Sequence, residues 1–343
     1  MPASRLRKPG TTPIDVVVTR ASLVECRHHV ACAVVDADGR SVAAWGDVAA
    51  PVYPRSANKA IQALPLVESG AADAFRLSHT ELALAAASHG GEPEHITAVR
   101  AWLAKIGASE GDLECGGHWP YHEPSLHAMV ARGEKPTAAH NNCSGKHSAM
   151  LTTARHLGEP TRGYVAFEHP VQQRVIRAMS EMSGVDLTSA PTGTDGCNIP
   201  TIALPLDRLA LAMARFANPT KLAPARAAAC RRLMAAMIAA PLMIAGHGRL
   251  DSVLIAASHG RIVSKGGAEG VQVAMLPDRG IAIALKALDG ATRAREVALG
   301  AVLDWLGALD DGVRSTLASF FEPSIANRRG DRVGRVLATE AGF

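Results

Sequence analysis

The placement of two hydrophobic periodicities constrains this chain more than any other feature. Runs of β-branched or alternating residues stand near both ends. The first group is "IDVVVTRA" (14–21), "HVACAVVDADG" (29–39) and "SVAAWGDV" (41–48). The second is "SVLIAAS" (252–258), "RIVSKGG" (261–267), "VQVAMLP" (271–277) and "GIAIALKA" (280–287). Turn residues punctuate both groups, "DADG" in the first and "HG", "AEG" and "DRG" in the second, as hairpins require. Between the groups, Ala and Leu recur at helical spacing and predict helices at 56–69, 80–88, 92–107, 144–157, 168–183, 203–217 and 222–239. "GATRAREVALGAVLDWLGAL" (290–309) reads as an amphipathic helix. Strands from both ends are therefore expected to join one antiparallel sheet, with the middle of the chain as a helical lobe. Regular strand–helix alternation is missing, which argues against a parallel fold. The expectation is a single mixed α/β (α+β) domain over 1–343. Its sheet comes from about 13–50 and 250–290, its helical region from about 56–245, and the tail 310–343 reads as irregular, with "EPSIANRRGDRVG" as a loop.

Composition removes several classes of function. A chain of 343 residues, 48% hydrophobic and 20% charged, can bury a large core. The net charge of +4 is small, and basic residues cluster only in "RLRK" (5–8) and "NRRGDR" (327–332). With 4% aromatic residues there is little to stack bases on, so no nucleic-acid partner is expected. No apolar run reaches the 18 or so residues of a membrane span, and "MPASRLRKPG" lacks the apolar core of a signal peptide. A cytoplasmic location is expected. The six cysteines show no tight pairing pattern, which favours reduced thiols, some of them functional or metal-bound.

Three short stretches carry chemistry. In "PRSANKAIQALPLVESGA" (54–71), Ser56 and Lys59 are three apart, on one face of the expected helix and within hydrogen-bonding reach. Serine is a poor nucleophile until a base takes its proton, and lysine is a base only when neutral. At the reference pKa, roughly one lysine in two thousand is neutral at pH 7, and burial or a nearby cation raises that share. The plainer reading is a capping serine and a surface charge. "AAASHGG" (85–91) adds Ser88 where a helix gives way to glycines, and "RIVSKGGAEG" (261–270) adds Lys265 at a strand end. Lys265 could equally be a charge that guards a sheet edge. In this order, SxxK, a loop serine and K-G-G are similar to the three motifs of serine β-lactamases and penicillin-binding proteins.

A second constellation is rich in sulfur. "AAHNNCSGKHSAML" (138–151) crowds His140, Cys143, Ser144, Lys146 and His147, and "PTGTDGCNIPTIALPL" (191–206) carries Asp195 and Cys197. Ligand chemistry alone suggests zinc on Cys143, Cys197 and a histidine. The alternative is a helix capped by Ser144 with two inert cysteines.

Six segments taken together, "RSANKAIQALPLVESGA", "ASHGGEPEH", "NNCSGKHSAML", "FEHPVQQ", "GTDGCNIPTIALPL" and "SKGGAEG", resemble the rhizobial-type (class 3) L-asparaginases from about residue 14 to 335. The resemblance implies a serine β-lactamase-like fold, shared with glutaminases. It implies a centre of two Ser–Lys pairs, Ser56 with Lys59 and Ser88 with Lys265. It further implies one zinc per chain, held by Cys143, Lys146 and Cys197 and completed by water, so that Lys146 displaces the histidine. Arg55, His147 and Asp195 match residues near that site, which implies substrate positioning. The implied reaction is hydrolysis of the L-asparagine side-chain amide to L-aspartate and ammonia, by a homodimer. Within this frame Ser56 reads as nucleophile, Lys59 as its base and Ser88–Lys265 as a proton relay, with Ser88 the second choice for acylation. Family members also carry a cysteine near the pocket on a late strand, where "LIAASHG" has only Ala256 and Ala257. Two other readings stand beside this one. The first is a glutaminase or other β-lactamase-like acyl-serine hydrolase; the second is a zinc-stabilised asparagine sensor, which would need neither serine–lysine pair.

Overall fold

The computed structural model describes residues 6–340, so the residues before Leu6, including Arg5 of the basic cluster, lie outside it. One eight-stranded antiparallel sheet organises the chain. Seven strands run in the order Ser324–Ala326, Arg332–Thr339, Ile14–Arg20, Leu23–Asp36, Ile281–Ala287, Val271–Leu276, Val263–Gly266, and Ser41–Trp45 pairs with Leu23–Asp36 off this path. The 14-residue strand Leu23–Asp36 is the hub, pairing with Ile14–Arg20, Ser41–Trp45 and Ile281–Ala287. Both ends of the chain thus enter one sheet around a helical middle, as the periodicities predict.

Alternation along the strands explains the layers. On Leu23–Asp36, Ala31, Ala33 and Val35 join the core shared with the helical lobe, while Val30, Cys32 and Val34 join a second core under helix Thr292–Trp305. On Ile281–Ala287, Ala282 and Ala284 face the lobe, and Ile281, Ile283 and Leu285 face the other way. Successive strand residues point to opposite faces, so each strand feeds two cores. The predicted lobe helices appear as His79–Ala85, Pro93–Lys105, Ser144–His156, Pro170–Ser183, Leu206–Ala217 and Pro224–Ala239.

Three local expectations are corrected. "SVLIAAS" is no strand, because Leu250–Ala257 forms a helix. A short apolar run cannot distinguish a buried helix from a buried strand. Leu250 and Leu254 bury on one helical face, and Asp251 in the first turn anchors the segment to Ser264 and Gly266. The tail is ordered as well. Asp311–Thr316 and Ala318–Phe321 are helices, and Arg332–Thr339 pairs with Ile14–Arg20 while burying Val336 and Ala338. Its polar "NRRGD" is the hairpin turn, closed by Asn327 N–H on Asp331 O at 2.9 Å. Finally, 56–69 is no continuous helix. A 3₁₀ turn, Arg55–Asn58, leads into Lys59–Gln62 and then Leu64–Glu68, with Pro65 in the first turn of the last piece.

Two glycines let the pieces meet. A Cβ on Gly145 would lie 2.3 Å from Leu84 O, so helix Ser144–His156 reaches the end of His79–Ala85 only because position 145 is bare. A Cβ on Gly267 would lie 2.7 Å from Pro54 O, which is how the strand end after Lys265 touches the turn before Ser56. Gly145→Ala is expected to pry the helices apart and destabilise the protein by about 1–3 kcal/mol. Denaturant unfolding checks this against Gly10→Ala, whose Cβ would meet nothing within 4 Å. Equal stability of the two variants would contradict the packing.

Candidate active site

Ser88 follows the helix His79–Ala85 and is pinned by its N–H on Ile244 O at 2.9 Å. Its hydroxyl stands between two amines. Lys59 Nζ lies 2.8 Å from Ser88 Oγ and Lys265 Nζ lies 2.9 Å from the same atom. Both lysines are fully buried, which excludes a surface charge for Lys59 and an edge-guarding role for Lys265, although Val263–Gly266 is an edge strand. Lys59 does not serve Ser56 as the spacing suggests. The 3₁₀ turn leaves the half-buried Ser56 hydroxyl without a hydrogen bond among the described residues, while Lys59 points to the helix end at 87–88.

The two amines differ in what surrounds them. Lys59 Nζ faces three acceptors, Ala87 O, Ser88 Oγ and Cys143 Sγ at 3.1 Å, which match the three protons of an ammonium. Burial lowers its pKa, and the Cys143 sulfur opposes that. Lys265 Nζ donates to Gly266 O at 2.7 Å and has the Asp251 carboxylate at 4.0 Å. Burial pushes the Lys265 amine down to about 7, helped by the charge on Lys59 and opposed by Asp251. Near neutral pH the Lys265 amine is therefore partly deprotonated.

The sulfur-rich segments converge beside Lys59. Cys143, Lys146 and Cys197 are all buried, and Lys146 Nζ donates to Cys197 Sγ at 2.9 Å. The Cys143 thiol is held well below its ordinary range, first by a hydrogen bond from Cys197 and then, against burial, by the charges of Lys146 and Lys59. Cys197, the donor of that pair, is raised. Burial disfavours the charge on Lys146, yet Cys143, Cys197 and Asp195 outweigh it and its pKa rises. No histidine joins the two sulfurs, which corrects the choice made from ligand chemistry alone. His147 Nδ1 bonds to the Tyr164 hydroxyl at 2.8 Å, and His140 Nδ1 to Thr137. Among the described residues no three His, Cys, Asp or Glu side chains are grouped to hold a metal. Ser144 is no cap either: Cys143 takes that position, and Ser144 Oγ bonds to Ala139 O and His89.

Arg55 and Asp195 form the outer edge of the cluster. Arg55 Nε donates to Asp195 Oδ1 at 2.7 Å, and Asp195 Oδ2 lies 3.6 Å from Cys197 Sγ. Burial raises the Asp195 carboxyl, but Lys146 and Arg55 prevail and keep it ionised. Arg55 adopts φ 50°, a left-handed conformation rare for a residue with a side chain. Three features escaped the sequence: this strained turn, Tyr164 and Asp251. The Tyr164 hydroxyl accepts from Glu114 N–H at 2.8 Å and shares a second hydrogen bond of 2.8 Å with His147 Nδ1. Burial keeps His147 neutral, and its Nε2 is buried without a hydrogen-bond partner among the described residues. Nothing in "LIAASHG" reaches the centre, but Asp251, one residue before the expected strand, does.

Comparison with known proteins agrees with the motifs. No curated protein matches in sequence. Solved structures that match include a β-lactamase from Mycobacterium bovis, at 13% identity over 82% of this chain and 95% of that one, with a TM-score of 0.40. A simvastatin synthase mutant from Aspergillus terreus has 12% identity over 75% and 86%, with a TM-score of 0.38. A D-alanine carboxypeptidase from Burkholderia cenocepacia has 14% identity over 82% and 93%, with a TM-score of 0.39. Likenesses this distant add nothing to the architecture described above. A sequence profile of L-asparaginase II, by contrast, matches residues 16–338, and the chain belongs to that family.

Proposed function

We propose that this chain hydrolyses L-asparagine to L-aspartate and ammonia with Ser88 as the acylated nucleophile. The observation that carries this reading is the Ser88 hydroxyl held between two buried lysines at 2.8 and 2.9 Å. It reverses the order of choice drawn from the SxxK spacing, in which Ser56 came first. Neutral Lys265 takes the Ser88 proton as Oγ attacks the side-chain amide carbon. Lys59, kept charged by its three acceptors, stabilises the negative charge that develops at the reacting centre. The C–N bond breaks as Lys265 returns the proton to the leaving ammonia. Water then cleaves the ester with Lys265 again as base, which frees aspartate and restores Ser88. Arg55 offers the guanidinium nitrogens that have no partner among the described residues to the α-carboxylate, and Asp195 its charge to the α-ammonium group. The unpartnered His147 Nε2–H supplies a further donor for a substrate oxygen.

Cys143, Lys146 and Cys197 fit the zinc site that the resemblance implies. Three buried donors converge, and one thiol already has its pKa well depressed. Zinc held there would supply a Lewis-acid centre that orders the α-amino and α-carboxylate groups. A homodimer in the cytoplasm is proposed on the resemblance alone.

Three outcomes follow. Purified protein should release ammonia from L-asparagine, with L-glutamine run alongside to expose a glutaminase. Ser88→Ala should then lose about a thousand-fold or more in kcat, Ser56→Ala far less, and a trapped acyl adduct should map to Ser88 by mass spectrometry. Loss confined to Ser56→Ala would return the nucleophile to Ser56. The second outcome concerns pH. Lys265 acts only when neutral and its pKa lies near 7, so kcat/KM should rise with pH through a limb near 7. The unfolded chain binds the Lys265 proton up to about pH 10.4, so this group makes stability rise with pH across that window. A flat profile from pH 6 to 8 would contradict Lys265 as base. Third, zinc must displace protons from Lys146 and the thiols, so its affinity should rise with pH in titration calorimetry, with proton release on binding. A pH-independent affinity would exclude a lysine ligand.

A further inference from the structure

Asp251 has no counterpart among the motifs, yet it is the only carboxylate shown in an ion pair with Lys265 among the described residues. It enters from the first turn of helix Leu250–Ala257 and is 8% exposed. Each oxygen is tied to the segment that carries Lys265 or to its neighbour. Oδ2 accepts from Gly266 N–H at 2.8 Å and faces Lys265 Nζ at 4.0 Å. Oδ1 accepts from the Ser264 hydroxyl at 2.7 Å and from Gln272 Nε2 at 2.8 Å. A buried carboxylate with both oxygens fixed cannot swing away, so its charge acts on Lys265 from one direction and distance. Strand residues 264 and 266 flank the lysine, so the same bonds orient the backbone from which Lys265 reaches Ser88.

We propose that Asp251 is a positioning residue that aims Lys265 at Ser88 and sets the pH range in which Lys265 can take a proton. The proposal rests on Lys265 acting as base. The balance of charges around the lysine gives Asp251 this influence. Facing it are Lys59 from helix Lys59–Gln62, Arg249 ahead of helix Leu250–Ala257, and Arg295 from helix Thr292–Trp305, all cationic and all acting with burial to drive off its proton. Among the described residues, Asp251 is the anion that chiefly opposes them. Asp251 itself stays ionised although burial opposes it, through the charge of Lys265, the bonds from Gly266 and Ser264, and the charge of Arg295. Without the carboxylate the lysine would lose its proton more readily and become a weaker base.

Asp251→Asn is the direct test, and the site can receive it. Gln272 Oε1 is buried without a partner, so a flipped Gln272 can accept from the new amide while Gly266 N–H keeps an oxygen acceptor. The acid limb of kcat/KM for L-asparagine should move down by about 1–3 pH units, with a lower plateau. Asp251→Glu, which keeps the charge, should hold the limb close to its original place. A limb that stays put in a folded, active Asp251→Asn protein would overturn the proposal and leave Asp251 a purely structural role. Two NMR titrations need no catalysis. With 13C-labelled lysine, the Lys265 ε-carbon should titrate at lower pH in Asp251→Asn than in the wild type, and an unchanged titration would refute the proposal. In the wild type alone, the Asp251 carboxyl carbon should show a step at the pH where Lys265 titrates, and no step there would count equally against it. A wild-type protein that titrates in this way but releases no ammonia would sink the asparaginase reading and spare the Asp251–Lys265 pair.

Discussion

Two amines buried around one hydroxyl are the arrangement on which the rest of this structure depends. Burying an ammonium group is expensive unless acceptors or counter-charges surround it. The chain meets that demand differently for each lysine. Beside the Ser88 hydroxyl that both share, Lys59 receives a carbonyl and the sulfur of Cys143, while Lys265 receives a carbonyl and a carboxylate 4.0 Å away. Burial lowers the pKa of both amines, but the Cys143 sulfur opposes it at Lys59, while at Lys265 it brings the pKa to about 7. Neither outcome belongs to lysine as a residue type; each is set by what the neighbouring helix or strand presents.

The sulfur cluster is joined to this centre through Lys59, not merely adjacent to it. Cys143 lies 3.1 Å from Lys59 Nζ and bonds to Cys197, which in turn accepts from Lys146 and stands near Asp195. Charge on one member is felt by the next, so Arg55 at the outer edge and Ser88 at the inner end belong to one electrostatic unit. A cation held among the sulfurs, as proposed above, would share Cys143 Sγ with Lys59, whose Nζ lies 3.1 Å from it.

The sequence was informative where a local rule decides structure. Alternation and turn residues gave the sheet from both ends, and helical spacing gave the lobe. It misled where the rule is degenerate. "SVLIAAS" has a pattern that a buried strand and a buried helix share, and only Asp251, outside the apolar run, tips it to helix. The SxxK spacing suggested a Ser56–Lys59 bond that an unbroken helix would allow, whereas a strained turn at Arg55 and a break before Pro65 redirect the lysine. Ser88 and Lys265 stood out in their own stretches, but their pairing, and Lys146 as a ligand, came only from family resemblance, since no spacing relates positions so far apart. Tyr164 and Asp251 carried no local signal at all, because their roles arise from tertiary contacts with His147 and Lys265.

The hub strand also governs when a working molecule can exist. Ile14–Arg20 cannot complete its outer pairing until Arg332–Thr339, far along the chain, is in place. Leu23–Asp36 must likewise wait for Ile281–Ala287, and the strand bearing Lys265 docks two places beyond that. Pairings of such sequence separation form slowly, and unpaired strand edges stay open to other chains meanwhile. Until those pairings form, Ser88, Lys59 and the sulfur cluster stand without the Lys265 amine that lies 2.9 Å from Ser88 Oγ in the finished fold. The cluster of two amines around one hydroxyl is gained late and all at once, as a property of the finished sheet.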